Sequence, residues 1–202
     1  MNALSSTVLF MSVSVDGFIA GPNVSPDNGL GDGGERLHDW IFAGGDVDGH
    51  AVADRLGGAD ADVWTDVTAT GALLCGRRTI EPARGWGGDH HDRAPIFVYS
   101  RHSKPPAFAD YPLISYIDDL DEAVTAAKSA ANGTNVLVHG SSIAQHLLRE
   151  SLLDEIQLHI VPVLLGQGQR LFDGLPAEHI ELLPLAAVQG EQALHVRYAV
   201  KK

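Results

Sequence analysis

Residues 135–148, NVLVHGSSIAQHLL, change periodicity halfway along. Val136, Leu137 and Val138 are apolar in succession, the pattern of a strand buried on both faces. Gly140, Ser141 and Ser142 break that run, and Ile143, Ala144, Leu147 and Leu148 then recur at helical spacing. A strand that passes through Gly and two small hydroxyl residues into a helix offers backbone N–H groups and the positive end of a dipole at the strand tip. The alternative reading is ordinary capping of the helix by serine.

The same pattern recurs upstream. ALLCG (72–76) is apolar and ends in Gly76-Arg77-Arg78-Thr79, a helix start that Pro82 must cut short. IFVY (96–99) ends in Ser100-Arg101-His102-Ser103. Other strands are expected at 8–15, in PLISYI after Tyr111, and in EIQLHIVPVLLG near Pro162. Leu120, Ala123, Val124, Ala127 and Ala131 share a helical face, with Asp118 or Asp119 as caps. Shorter helices are expected at 35–42 and 54–67, and a mobile loop at 21–34, where Gly, Pro, Asn and Asp dominate. Residues 180–188 and 193–200 read as a terminal hairpin around QGEQ. Strands alternating with helices imply an α/β fold with a parallel sheet covered on both faces and antiparallel strands at its C-terminal edge. A single domain spanning 1–202 is expected, with ligands at the carboxyl ends of the strands.

Composition narrows the partners. The chain has 202 residues, 45% of them hydrophobic, and no apolar run long enough to span a bilayer. With 14 basic and 26 acidic residues the net charge is −12, which argues against nucleic acid or an anionic membrane as partner. Six of the fourteen cations nonetheless lie between Arg77 and Lys104, a local basic region suited to a small anion. The single cysteine, Cys75, excludes an internal disulfide and fits a reducing cytoplasm, where the protein is expected.

In a parallel sheet the three Gly/Ser/Arg tips face the same side, an arrangement that suits a diphosphate and one further phosphate, as in NADP(H). Gly140-Ser141-Ser142 would hold the diphosphate, and Arg77, Arg78 or Arg101 the extra phosphate through charge-assisted bonds. The GxGxxG fingerprint of the common dinucleotide fold is absent. The segments MSVSVDGFIAGPN (11–23), LLCGRRTIE (73–81), IFVYSRH (96–102) and the long run 136–174 follow one another as in a known family. Their order resembles the dihydrofolate reductase superfamily, and within it the branch of the bifunctional deaminase-reductase of riboflavin biosynthesis, C-terminal reductase domain. The resemblance implies a three-layer dihydrofolate reductase-like fold around a central mixed, mostly parallel sheet of about eight strands. It also implies extended NADPH. By position, Ser12, Ile19 and Ala20 would lie near the nicotinamide, Gly76, Arg77, Arg78 and Thr79 at phosphates, Ser100 and Arg101 at the adenosine end, and Gly140, Ser141, Ser142, Ile143 and Ala144 in the diphosphate turn. The chain departs from the family at Ser141, where folate reductases carry a second Gly, and at His139, where the riboflavin branch has an acid.

The expected activity is an NADPH-dependent oxidoreductase that passes a hydride to a small carbonyl or imine. A 5-amino-6-(5-phosphoribosylamino)uracil-like compound is one option; the zinc-site pattern of a deaminase is missing, so a stand-alone reductase is expected. A nucleotide-binding protein or redox sensor without turnover shares every phosphate contact and is the alternative. Asp39 is the candidate catalytic acid and Trp40 the candidate substrate-stacking residue, against a solvated acid beside a core Trp. Asp16 reads as a turn residue, His139 and His159 as satisfied core histidines, and Cys75 as inert. DHHD (89–92) holds metal-ligand side chains, but adjacent histidines on a Gly-rich loop do not by themselves converge on an ion, and no metal is expected. A homodimer is expected from the resemblance.

Overall fold

Strand β1 (Thr7–Ser14) is buried along all eight residues. Leu9, Met11 and Val13 face one core and Phe10 the other, as the two-residue period of a strand requires. Such a strand belongs in the middle of a sheet, and β6 (Val136–His139) and β7 (Glu155–Val161) flank it in parallel. The computed structural model describes residues 5–42 and 56–202.

The sheet continues from β6 through β3 (Ala72–Gly76), β4 (Ile96–Tyr99) and β5 (Ile114–Ile117), all parallel. Beyond β7 lie β10 (Leu194–Val200) and β9 (Leu182–Gln189), each antiparallel to its neighbour. The order is β5-β4-β3-β6-β1-β7-β10-β9. The α/β sheet with a C-terminal hairpin is therefore present. A separate antiparallel ribbon joins β2 (Phe18–Ala20) to β8 (Gln169–Arg170). Strands this short carry no readable period, which is why the sequence does not announce them.

Helices cover both faces. On one, α4 (Leu120–Ala131) and α5 (Ser141–Arg149) pack against β1, β3 and β6 through Ala123, Ala127, Ile143 and Leu147. Asp119 caps α4 by accepting the Glu122 N–H at 2.8 Å, and Asn132, left-handed at φ 49°, ends it. Leu147 is fully buried, so truncation to Ala costs roughly 2–5 kcal/mol. The other face is closed by a 3-10 turn (Gly34–His38), α1 (Asp39–Phe42) and α2 (Gly58–Thr68), through Leu37, Trp40, Ile41, Val63 and Val67. The helix expected at 54–67 thus begins at Gly58, with extended Gly57 before it. Residues 54 and 55, and the Gly/Asp-rich connection after 42, lie outside the described residues.

Pro82 limits α3 (Arg77–Ile80) to one turn. The loop at 21–34 is tied rather than slack. Gly21 N–H donates to the Leu30 carbonyl and Asp32 N–H to that of Pro22, both at 2.8 Å, and the amides of Asn23 and Asn28 both donate to Asp32. Cys75 is sealed in β3, where burial pushes its thiol up and leaves it unreactive. Among the described residues no helix is long and apolar enough to cross a membrane.

Candidate functional site

Strands β6, β3 and β4 are parallel neighbours, so Gly140, Gly76 and Ser100 stand side by side at their carboxyl ends. The first two turns touch. Gly140 has φ 104°, and a Cβ there would lie 2.1 Å from Thr79 Oγ1; a Cβ on Gly76 would meet Ser142 at 3.9 Å. Only glycine permits both the backbone angle and the contact at position 140. No side chain caps α5, which removes the serine-capping reading. The Ser141 hydroxyl is 2.6 Å from Gln169 Nε2 and accepts from it. The side chains of Ile143 and Ala144 lie in the core. What this turn presents outward is therefore the N–H groups of its first residues, together with the exposed Ser142 side chain.

Cations stand beside this edge. Arg77 is half-buried and pairs with Glu81 at 3.3 Å, one turn along. Arg78 and Arg101 are exposed. Ser100 is less available: its hydroxyl accepts the His102 N–H at 3.0 Å and donates to the His102 carbonyl at 3.2 Å. Elsewhere the basic stretch is committed to local structure, with Arg84 on Asp27 at 2.5 Å and Lys104 on the Tyr111 carbonyl at 2.7 Å.

Ser12, Ile19 and Ala20 are buried near the same end of β1 and in β2. The Ser12 hydroxyl accepts from Trp40 Nε1 at 2.9 Å, which leaves its own proton free to donate. Trp40 is 2% exposed, packed against the rings of Phe10, His159 and His195. It is a core residue, and its faces are not free to stack on a ligand. Asp39 points to the surface and pairs with Arg36 at 3.4 Å. Neither residue joins the cleft, because the one-turn helix that carries them turns Trp40 inward and Asp39 outward.

Asp16 is more than a turn residue. Its carboxylate accepts from the Ser14 hydroxyl at 2.6 Å and from the N–H groups of Leu165 and Gly166 at 3.1 and 2.7 Å. These donors, Ser14 first, hold its pKa down to about 2, and the loop at 165–166 is pinned to the β1–β2 turn.

The histidines form an assembly that spacing alone does not reveal. His159 is fully buried and its Nδ1 lies 2.7 Å from His195 Nδ1. His195 Nε2 in turn donates to Asp60 Oδ1 at 2.6 Å. His159 is not fully satisfied, however, since its Nε2 has no partner among the described residues. At the sheet tips His139 donates through Nδ1 to the Phe10 carbonyl at 3.1 Å, and Trp86 stands edge-on to His90 and His139. Burial, reinforced by the charge of His139, pushes His38 down to about 4, and burial does the same to His139. His90 and His91 bond to each other at 2.7 Å. Among the described residues no group of three His, Cys, Asp or Glu is arranged to hold a metal ion.

A family model for the RibD C-terminal domain matches residues 6–194. The uncharacterized protein YwjB of Bacillus subtilis (strain 168) is 24% identical over 200 residues, covering 95% of this chain and 96% of that one. A solved structure from Shewanella sp. PV-4, named for riboflavin biosynthesis, matches with a TM-score of 0.65 at 21% identity, over 98% of this chain and 99% of that one. Acinetobacter baumannii RibD matches with a TM-score of 0.64 at 16% identity, over 98% of this chain and 59% of that one. At these identities the structural likeness is one of fold, while the family model spans nearly the whole sequence. The chain belongs to the RibD C-terminal domain family.

Proposed function

We propose that the chain is a stand-alone NADPH-dependent reductase acting on a small carbonyl or imine, a riboflavin-type pyrimidine intermediate being one candidate. The observation that carries this reading is the contact of two strand tips at Gly140 and Thr79, beside an uncapped nine-residue helix. That turn fits a diphosphate, because N–H donors approach an anion closely only where a Cβ is missing. The N–H groups of Ser141, Ser142 and Ile143 would bind it, with Gly76 and Thr79 opposite. Arg77 and Arg78 would meet the 2′-phosphate, and Ser100 and Arg101 would flank the adenosine. Ser12, Ile19 and Ala20 would wall the nicotinamide and keep water out. When bound, the cofactor supplies the hydride. The Ser12 hydroxyl, fixed by Trp40, would orient whichever carbonyl or amide lies beside it.

NADPH and NADH titrations, followed by tryptophan quenching, test the reading. NADPH should bind more tightly, and Arg77→Ala should cost about ten- to a hundredfold for NADPH alone, the loss of one charge-assisted contact. Equal and weak binding of both nucleotides overturns it.

The partners follow the same logic: a small-molecule substrate, no nucleic acid, no membrane, and a cytoplasmic setting. A homodimer is supported by β9, which is exposed at all eight residues and carries Leu182, Leu183, Leu185 and Val188. An edge strand this apolar is a liability unless a second copy covers it.

A further inference from the structure

Hydrogen-bond partners fix the tautomers of three histidines. His139 Nδ1 faces the Phe10 carbonyl, which only accepts. That nitrogen carries the proton, and Nε2 of the neutral ring is a lone pair. His91 Nε2 lies 3.0 Å from the Thr70 carbonyl and must donate, so in the neutral ring Nδ1 is the acceptor. His90 Nδ1, at 2.7 Å from His91 Nδ1, is then the donor, and His90 Nε2 is again a lone pair. Neither Nε2 has a partner among the described residues. Nor is either sealed, unlike His38 Nδ1 and His159 Nε2, which are buried and unpaired. The rings of His90 and His139 lie 6.3 Å apart, with Trp86 at 4.8 and 6.1 Å from them.

The surroundings keep the rings uncharged. Burial is the main cause for both, and the neighbouring His139 and His91 lower His90 further. Two open acceptors beside an indole suit a ligand that brings donors.

We propose that His90 Nε2 and His139 Nε2, with Trp86, form a recognition pair that accepts hydrogen bonds from two adjacent N–H or O–H groups on an uncharged flat ring. His139 directly precedes Gly140, and it bonds to β1 two residues before Ser12, so this pair borders the proposed cofactor cleft. That the ring belongs to the substrate rests on the reductase reading; the existence of the site does not. An anion would have to protonate rings that their surroundings keep neutral, and among the described residues a metal ion would lack a third ligand.

The test uses the full chain labelled with 15N-histidine, and four probes at pH 7. o-Phenylenediamine and catechol carry adjacent N–H and O–H donors on a flat ring; 1,2-dimethoxybenzene carries acceptors only, and benzoate a charge. The expected result is that one or both donor rings shift the unprotonated nitrogen signals of His90 and His139, and the other two probes do not. Response to o-phenylenediamine alone assigns an N–H ligand, and to catechol alone an O–H ligand. His139→Asn and His90→Asn each retain a donor near the Nδ1 position while deleting Nε2, and each should weaken the responding probe about five- to tenfold. Preference for benzoate, stoichiometric Zn2+ uptake lost in either variant, no response to any probe, or variants that bind like the parent protein would each overturn the proposal. NADPH titration of the parent protein separates the two readings: its failure removes the reductase, not the ring site.

Discussion

Asp60 and His195, 135 positions apart, are joined at 2.6 Å in the buried layer that also holds Trp40. The other Asp60 oxygen accepts the Glu191 N–H at 3.0 Å. A Cβ on Gly190 would lie 2.0 Å from the same carboxylate. One carboxylate thus ties α2 to the tip of the β9–β10 hairpin. Deleting that carboxylate leaves His195 Nε2–H and the Glu191 N–H without their acceptor, at about 1–3 kcal/mol for each buried donor. Asp60→Ala should therefore lower the Tm by on the order of 10 °C in a chain of this size, and Gly190→Ala should also destabilise. A thermal melt of Asp60→Ala that overlays the parent protein would show that this clamp carries no stability.

The tip histidines make stability depend on pH. His38 and His139 titrate near 6.5 when unfolded, and burial lowers both to about 4 in the folded chain. Between these values the unfolded state binds more protons, so acidification favours unfolding. Their contribution is complete above about pH 6.5, declines as pH falls, and is gone near pH 4. A tenfold change in proton affinity is worth about 1.4 kcal/mol, so a fall from 6.5 to about 4 amounts to about 3 kcal/mol at most for each ring. Urea unfolding at pH 7 and pH 5 measures this, and His139→Asn should flatten the difference. Asp16 acts in a lower window, between its ordinary carboxylate range and about pH 2, so a loss confined to pH below 4 would point to the loop clamp instead.

Legibility follows the range of the forces involved. The alternation in β1, the apolar runs of β3 and β6 and the amphipathic face of α4 are local signals, and each element appears where its residues predict it. The tips at Gly76, Ser100 and Gly140 are readable because parallel neighbours must end on one side. Helix capping by Ser141 is a reasonable local inference, but Gln169, 28 residues away, claims that hydroxyl. Asp39 and Trp40 are unreadable for a similar reason: which one faces inward depends on how a single helical turn docks on Phe10 and His159. The histidines of the assembly come from five separate segments, at 38, 90–91, 139, 159 and 195, and have no spacing to betray them.

The exposed face of β9 predicts association. Leu183 and Leu185 are each 53% exposed on this edge strand. If a second copy covers them, the double change Leu183→Lys and Leu185→Lys should convert a dimer to a monomer in light scattering at micromolar concentration. A parent protein that is already monomeric at that concentration sinks the idea.

The last prediction separates backbone from side chain at the proposed diphosphate turn. The Ser141 hydroxyl is occupied by Gln169 and its residue is 4% exposed, so Ser141→Ala leaves every outward N–H in place. NADPH affinity should change by less than about threefold, since that change removes no charge-assisted contact. Gly140→Ala is different. It adds a Cβ 2.1 Å from Thr79 Oγ1 at a φ of 104°, and the turn must shift to accommodate it. Affinity should fall at least about tenfold, the effect of misplacing one or more charge-assisted N–H bonds. Thr79→Ala added to Gly140→Ala should recover only part of that loss, because the backbone strain at position 140 persists after the side-chain clash is relieved. The reverse ranking, with Ser141→Ala the more damaging, would mean that the hydroxyl and not the helix terminus holds the anion.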